Sequence, residues 1–307
     1  ADSWPIILLV RFSDRVGKGI RSAPRDSLVA AYSDAKNRGR SFGFHRMMDT
    51  SGAVLGIMIA AVFMALMVNP YQELFLLSVV PGALAVFILM MLVKEKKLEE
   101  KKRTVSSFRL ELKKFDFRFK IAIAAVIIFS MGNFSYAFSL IRAQEMGVVL
   151  VAIPLVYLFC NIIYAIAAYP AGILADRLGK DKVLLSSFIL FTIISFAFGF
   201  LEGALAAWVI FALYGVFLAV FEVSSKAFVA DVAPAELRGT ALGIYHAGIG
   251  FAAFPASFVL GVLWQGFGSG VGFGYSGILA IVATLLLFLF LIKSGDNSDE
   301  NEPSGKG

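Results

Sequence analysis

The sequence predicts an all-α polytopic membrane protein with no separate soluble domain. Hydrophobic residues make up 59% of the 307 positions and charged residues only 16%, whereas soluble domains are about half apolar and about one quarter charged. Apolar runs of about 20 residues recur along the chain, which is the length of a helix that crosses a bilayer. Runs of this length favour helices over a membrane β-barrel, whose strands would be about 10 residues of alternating pattern.

Charged turns, glycines and Pro70 separate nine predicted spans. The first span begins apolar, from Trp4 to Val10, and then carries charges throughout its second half. Residues 94–118 are predicted to be a basic cytoplasmic linker, and the polar tail 294–307 is predicted to be disordered. The nine predicted spans cover residues 4–30, 41–67, 71–93, 119–141, 148–175, 183–201, 207–231, 238–264 and 273–293.

The distribution of lysine and arginine predicts the orientation of the spans. Counting the spans places nearly all basic loop residues on one side, and loops rich in Lys and Arg mark the cytoplasmic side. Arg142 is the exception on the other side. The linker holds most of the excess of basic over acidic residues that gives the net charge of +6. This charge therefore indicates membrane topology and not a nucleic-acid partner. The basic positions on the predicted cytoplasmic side outside the linker are Lys36, Arg38, Arg40, Arg177, Lys180, Lys182, Arg238 and Lys293.

An internal repeat relates residues 29–43 to residues 229–243. Val, Ala, Ala, Arg, Gly and Gly recur in register at an offset of 200 positions. Six spans lie between the copies, so both copies run in the same direction, as in transporters built from two six-helix halves. The expectation is a complete lobe over 119–293 and an incomplete lobe over 1–93, corresponding to nine of twelve helices.

Motifs at three places in the chain resemble those of the major facilitator superfamily. The turn after the span 148–175 reads Gly172-x-x-x-Asp176-Arg177-x-Gly179-Lys180, and the repeat copies contain Arg38-Gly39 and Arg238-Gly239. The first span adds Arg15-x-x-x-Gly19. The resemblance implies a monomeric two-lobed transporter of the cell membrane that moves a small molecule by alternating access without a cofactor, and these motif residues are its candidate gating residues.

Ten residues are candidates for a central cavity, because charged side chains at membrane depth usually face a cavity or a partner. The alternative for the charged ones is a structural ion-pair ladder, and isolated polar residues more often pack helices together. Glu222, four residues before Lys226, is a candidate proton carrier, and the alternative is that these two residues only pair with each other. The candidates are Arg11, Asp14, Arg15, Asp49, Asn133, Tyr136, Asn161, Tyr214, Glu222 and His246.

The sequence also predicts one contact between the lobes. Asp176 is expected to dock at the start of the span near Gly39, Arg40 and Ser41, because a helix N-terminus leaves N–H groups unpaired and carries partial positive charge. The alternative is that Asp176 only caps its own turn.

Among function classes, secondary active transport is favoured, with proton coupling expected and efflux preferred over uptake. Gly52 to Gly56 resembles the glycine motif of family antiporters, although Ile57 replaces its proline. A non-transporting scaffold or sensor with the same fold is the alternative. An enzyme is not expected, because no Ser/His/Asp arrangement and no glycine-rich phosphate loop is present. A metal site is not expected, since His45 and Asp49 lack further ligands.

Overall fold

The computed structural model describes residues 4–67, 71–92 and 115–299, apart from some side chains, chiefly in the first half of the first helix. These residues form helices and no strands. The predicted linker and the last residues of the chain fall mostly outside the described part. The ten α-helices are α1 (Trp4–Tyr32), α2 (Arg38–Leu66), α3 (Tyr71–Leu92), α4 (Phe117–Gly132), α5 (Tyr136–Glu145), α6 (Ile153–Leu178), α7 (Lys180–Phe200), α8 (Ala204–Val232), α9 (Arg238–Phe267) and α10 (Ser269–Asp299).

The helices follow the predicted spans closely. Within the described residues, eight stretches are long and apolar enough to cross a membrane. The ninth predicted span is the helix α1, whose repeated charges keep it outside that group. At the other end, α10 continues to Asp299 and so enters the segment predicted as a tail. The molecule is therefore an all-α, multi-pass membrane protein.

The predicted span 119–141 lies within one stretch long and apolar enough to cross a membrane, Phe119–Glu145, and the chain breaks inside that stretch between α4 and α5. Asn133 leaves the helix with φ −80° and ψ 97°, and the Ser135 hydroxyl accepts a hydrogen bond from the N–H of Ala137 to begin α5. Phe134, between these two residues, is buried among other aromatic rings. The local sequence explains the break, since glycine weakens a helix and Asn and Ser compete for its backbone hydrogen bonds.

The repeat copies adopt the same local structure. In the first copy α1 ends at Tyr32, a 3₁₀ turn covers Ala35–Asn37 and α2 begins at Arg38; in the second, α8 ends at Val232, a 3₁₀ turn covers Ala235–Leu237 and α9 begins at Arg238. Each boundary differs by the 200 positions of the sequence repeat. Equivalent residues therefore occupy equivalent places at two helix starts.

The chain divides into two compact units, residues 1–51 with 115–307, and residues 52–114. In the first unit the helices α4 and α6–α10 pack around a core of stacked aromatic rings. Phe129 lies 4.1 Å from Phe188, centroid to centroid, with nearly parallel rings. Such pairs contribute about 0.5–1.5 kcal/mol each beyond their buried area. In the second unit, α3 exposes most of its apolar side chains, as suits a lipid environment.

Arg142, the basic exception in the loop pattern, is a buried structural residue. Its Nε donates to the carbonyl oxygen of Phe198 at 2.8 Å and its Nη2 donates to that of Leu201 at 3.1 Å. Nη2 also pairs with Glu202 at 2.6 Å. These carbonyls lie at the end of α7, where a helix lacks internal partners. Arg142 therefore ties α5 to the end of α7.

Arg142→Met is expected to lower the stability of the protein by about 1–3 kcal/mol, because the buried carbonyl oxygen of Phe198 loses its charged donor. Thermal unfolding of the purified full-length protein in detergent measures the change. Lys182→Met, which removes an exposed charge, is the control and is expected to leave the melting temperature unchanged. Equal melting temperatures for the two variants would contradict a structural role for Arg142.

Candidate functional site

The last turn of α6, where the motif continues, contacts the start of α2 through one carboxylate. Asp176 accepts a hydrogen bond from the backbone N–H of Gly39 on Oδ1 and another from that of Arg40 on Oδ2, both at 2.8 Å. These N–H groups lie in the first turn of α2, where they have no partner within the helix. The predicted contact is therefore present, and both carboxylate oxygens cap α2.

Small residues allow α2 and α6 to approach this closely. A Cβ at Gly39 would lie 2.6 Å from the carbonyl oxygen of Gly172, and one at Gly172 would lie 2.3 Å from that of Gly39. One turn further, a Cβ at Gly43 would lie 2.6 Å from the carbonyl oxygen of Ala168. Glycine or alanine four residues apart on each helix is typical of close crossings in membranes. Any side chain at these glycines would separate the two helices.

A second carboxylate, Asp231 at the end of α8, completes the contact. It pairs with Arg38 from α2 and with Lys180 from the motif turn. Lys180 Nζ also donates to the carbonyl oxygen of Ala35 at 2.7 Å. We call Arg38, Gly39, Asp176, Lys180 and Asp231 the latch. Sequence reasoning missed Asp231, although it stands where the first repeat copy has Ala31.

The other gating candidates lie beside the latch. Gly179 has φ of 102° and turns the chain between α6 and α7, a conformation that side chains other than glycine rarely adopt. Arg177 is exposed. Arg238 Nε donates to the carbonyl oxygen of Ala230 at 3.0 Å, and a Cβ at Gly239 would lie 3.4 Å from Ser27 Oγ. The contact of the second repeat copy with α1 is therefore looser than the contact of the first copy with α6.

Further along the same helices lies a chain of alternating charges. Lys226 Nζ lies 3.5 Å from Asp26 Oδ2 and 2.9 Å from Glu222 Oε2. Glu222 Oε2 lies 2.7 Å from Arg46 Nη2, and Arg46 Nη1 lies 2.8 Å from Asp49 Oδ2. We call Asp26, Lys226, Glu222, Arg46 and Asp49 the charge network. It links α1, α2 and α8, and each carboxylate faces at least one cation.

Three further side chains border the charge network. His246 Nε2 on α9 lies 2.8 Å from Asp26 Oδ2. Arg25 Nε lies 3.2 Å from Asp26 Oδ1. Tyr164 on α6 places its ring 5.4 Å below the guanidinium carbon of Arg46, within reach of a cation–π contact. Five helices thus contribute to one polar region.

The structure brings together only part of the predicted cavity residues. Glu222, Asp49 and His246 join the polar region, and Glu222 pairs with Lys226. Asp49 accepts a hydrogen bond from Arg46, three residues before it on the same helix. The side chains of Arg11, Asp14 and Arg15 lie outside the described part. Sequence reasoning omitted Asp26 and Arg46 from the cavity set, because the partners that tie them to other helices are distant in the chain.

Four polar candidates lie apart from the charge network. Asn133 ends α4, and Asn161 Nδ2 donates to the carbonyl oxygen of Tyr157 one turn before it, at 2.8 Å. The rings of Tyr136 and Tyr214 lie 5.6 Å apart within the aromatic core. For these four the observed contacts are those of helix packing. Within the described residues no group of three or more metal-ligating side chains is present.

Comparison with known proteins accords with the motifs. The sequence profile of the Major Facilitator Superfamily matches residues 1–163 and again residues 121–307. An uncharacterized MFS-type transporter of Methanocaldococcus jannaschii is 34% identical over 291 residues, covering 93% of this chain and 72% of that protein. An uncharacterized protein of Mycobacterium bovis is 23% identical over 298 residues, covering 94% of this chain and 71% of that protein.

These matches extend over the whole region that carries the latch and the charge network. Members of this family are membrane transporters and are typically not enzymes. The chain belongs to the major facilitator superfamily.

Proposed function

We propose that the protein is a proton-coupled secondary active transporter of the cell membrane that moves a small molecule by alternating access, in the direction of efflux. The observation that carries the proposal is the latch, in which Asp176 caps α2. A carboxylate at a helix N-terminus contributes about 0.3–1 kcal/mol when exposed and up to about 2 kcal/mol when partly buried. Such a contact shifts a two-state equilibrium severalfold and still allows the helices to part.

The position of the latch supports a gating role. It joins α2, from the predicted N-terminal lobe, to α6, α7 and α8, from the predicted C-terminal lobe, on the side predicted to be cytoplasmic. The geometry therefore suits a state in which the cytoplasmic entrance is closed. Opening that entrance requires the Asp176 contact, the Asp231 pairs and the glycine crossing to separate together.

The charge network supports a coupled mechanism. It lies between the same two predicted lobes, and its side chains pair across them, as in the contact of Arg46 with Glu222. Buried charges are expensive when unpaired, so separating the lobes requires new partners for these groups. Water, a proton and a charged or polar substrate are the partners that a transporter supplies.

Transport by the full-length protein in proteoliposomes tests the proposal. A panel of compounds is followed in both directions, with and without a pH gradient. The proposed function predicts gradient-dependent movement of at least one compound, faster in the efflux direction. Transport that is independent of the pH gradient would exclude proton coupling from the proposed function. Failure of every compound in both directions would favour a scaffold or sensor that keeps the fold.

Asp176→Asn is expected to reduce the population of the closed state severalfold, because the amide keeps at most one acceptor oxygen and loses the negative charge at the start of α2. Distances between spin labels on the cytoplasmic ends of the two lobes measure this population. Asp181→Asn is the matched control, since Asp181 lies in the same turn but bonds to the N–H of the adjacent Lys182. Unchanged populations in Asp176→Asn would contradict the latch.

A further inference from the structure

Among the described side chains of the polar region, the carboxylate of Asp26 is the most enclosed charge. Its side chain is only 1% exposed, and it lies in the second half of α1. Oδ1 is contacted by Arg25 from the same helix at 3.2 Å. Oδ2 is contacted by His246 from α9 at 2.8 Å and by Lys226 from α8 at 3.5 Å. Asp26 therefore connects its own helix to two helices of the predicted opposite lobe.

The three contacts of Asp26 differ in which helices they join and in whether the partner can change its charge. Arg25 is its neighbour in the chain and holds no second helix. Lys226 lies closer to Glu222 than to Asp26 and so already has another partner. His246 is the contact that ties α1 to α9, two helices that pack along each other. Histidine is also the residue type whose charge changes between pH 5 and 8.

The groups around Asp26 and His246 bear on whether this contact is the one that changes with pH. Charged and titratable groups face the pair from Arg25 on α1, His45 and Arg46 on α2, Glu222 and Lys226 on α8, and Tyr245 on α9. The Tyr245 hydroxyl hydrogen-bonds with Ser225 at 2.7 Å. Glu222 is already held by two cations, Lys226 at 2.9 Å and Arg46 at 2.7 Å.

We propose that His246 and Asp26 form the proton-dependent lock between the two lobes. With a proton on both ring nitrogens, the imidazolium donates a charge-assisted hydrogen bond to Asp26 and holds α1 against α9. Loss of one proton to water leaves a neutral ring and a weaker bond, since charge-assisted bonds are roughly twice as strong as neutral ones. The inference deepens the proposed function by naming the residues through which protons bias its conformational equilibrium.

Spin-label distances in the full-length protein test the lock. Labels are placed on Lys36→Cys and Ala235→Cys, two exposed positions on opposite lobes, in a Cys160→Ala background. The wild-type sequence is expected to lose the short-distance population as pH rises from about 5.5 to 8.5, by roughly fivefold or more in the closed-to-open ratio. His246→Gln is expected to be flat with pH, and His246→Lys, which stays charged, is expected to remain closed throughout.

His45 provides the matched control, because the chain contains two histidines and both lie near Asp26. His45→Gln is expected to keep the pH dependence of the parent. A flat profile in the parent, or full pH dependence in His246→Gln, would overturn the proposal. If His246→Gln does not fold, the double variant Asp26→Asn/His246→Gln removes both charges and is expected to be flat as well. The measurement needs no substrate, so it separates the lock from the transport activity.

Discussion

Gly43→Ala is expected to reduce transport by the full-length protein by at least about tenfold. The added Cβ would lie 2.6 Å from the carbonyl oxygen of Ala168 and 3.3 Å from the Cα of Gly172, and backbone atoms cannot rotate away. Overpacking of this kind costs about 1–3 kcal/mol, and here the cost falls only on the state in which α2 and α6 touch. Gly172→Ala is expected to have a larger effect, since its Cβ would lie 2.3 Å from the carbonyl oxygen of Gly39.

The repeat supplies the matched control. Gly243 occupies the equivalent position on α9, and a Cβ there would meet nothing within 4 Å. Gly243→Ala is therefore expected to transport at the parental rate and to be slightly more stable, since alanine favours a helix. Initial rates in proteoliposomes, normalised to the amount of folded protein, give the comparison. Equal rates for Gly43→Ala and Gly243→Ala would mean that the close crossing is not used in the cycle.

Glu222→Gln is expected to reduce both transport and stability. It removes the carboxylate between Arg46 and Lys226 and leaves two cations at membrane depth with one partner fewer each. Removing one member of a fully buried pair costs about 3–5 kcal/mol. Because the Glu222 side chain is 27% exposed, about 1–3 kcal/mol of stability is expected to be lost, together with most of the transport activity.

The double variant Arg46→Met/Glu222→Met separates stability from function. Replacing a buried ion pair by apolar residues is often neutral for stability, so this variant is expected to regain the melting temperature and not the transport rate. Glu73→Gln on the exposed start of α3 is the control for the loss of one acidic charge. Recovery of transport in the double variant would show that the charge network only supports folding.

The sequence predicted those features that depend on local pattern. The spans follow from apolar runs, and the contact of Asp176 with α2 follows from a short charged turn and a helix start that needs an acceptor. The common structure of the two repeat copies follows from the residues at their helix starts. In each case the signal lies within a few residues of the feature, even though the Asp176 contact joins residues more than 130 positions apart.

The features that the sequence did not predict depend on distant partners. Asp26 and His246 are separated by more than 200 positions, and neither residue carries a motif that names the other. Asp231 belongs to the latch because the fold brings the end of α8 beside Arg38, which is far from it in the chain. The break at Asn133 is different, since Gly132, Asn133 and Ser135 do carry a local signal. The apolar character of the run outweighed that signal.

The capping of α2 by Asp176 has a consequence for hydrogen exchange. The first amides of a helix ordinarily exchange with water readily, because no carbonyl accepts from them. The amides of Gly39 and Arg40 are instead bonded to a carboxylate, so their deuterium uptake is slow only while that bond persists. Local opening sets the exchange rate of such protected amides. The deuteration of a peptide spanning these two residues would therefore measure how often the latch opens, in unlabelled protein and in a native membrane.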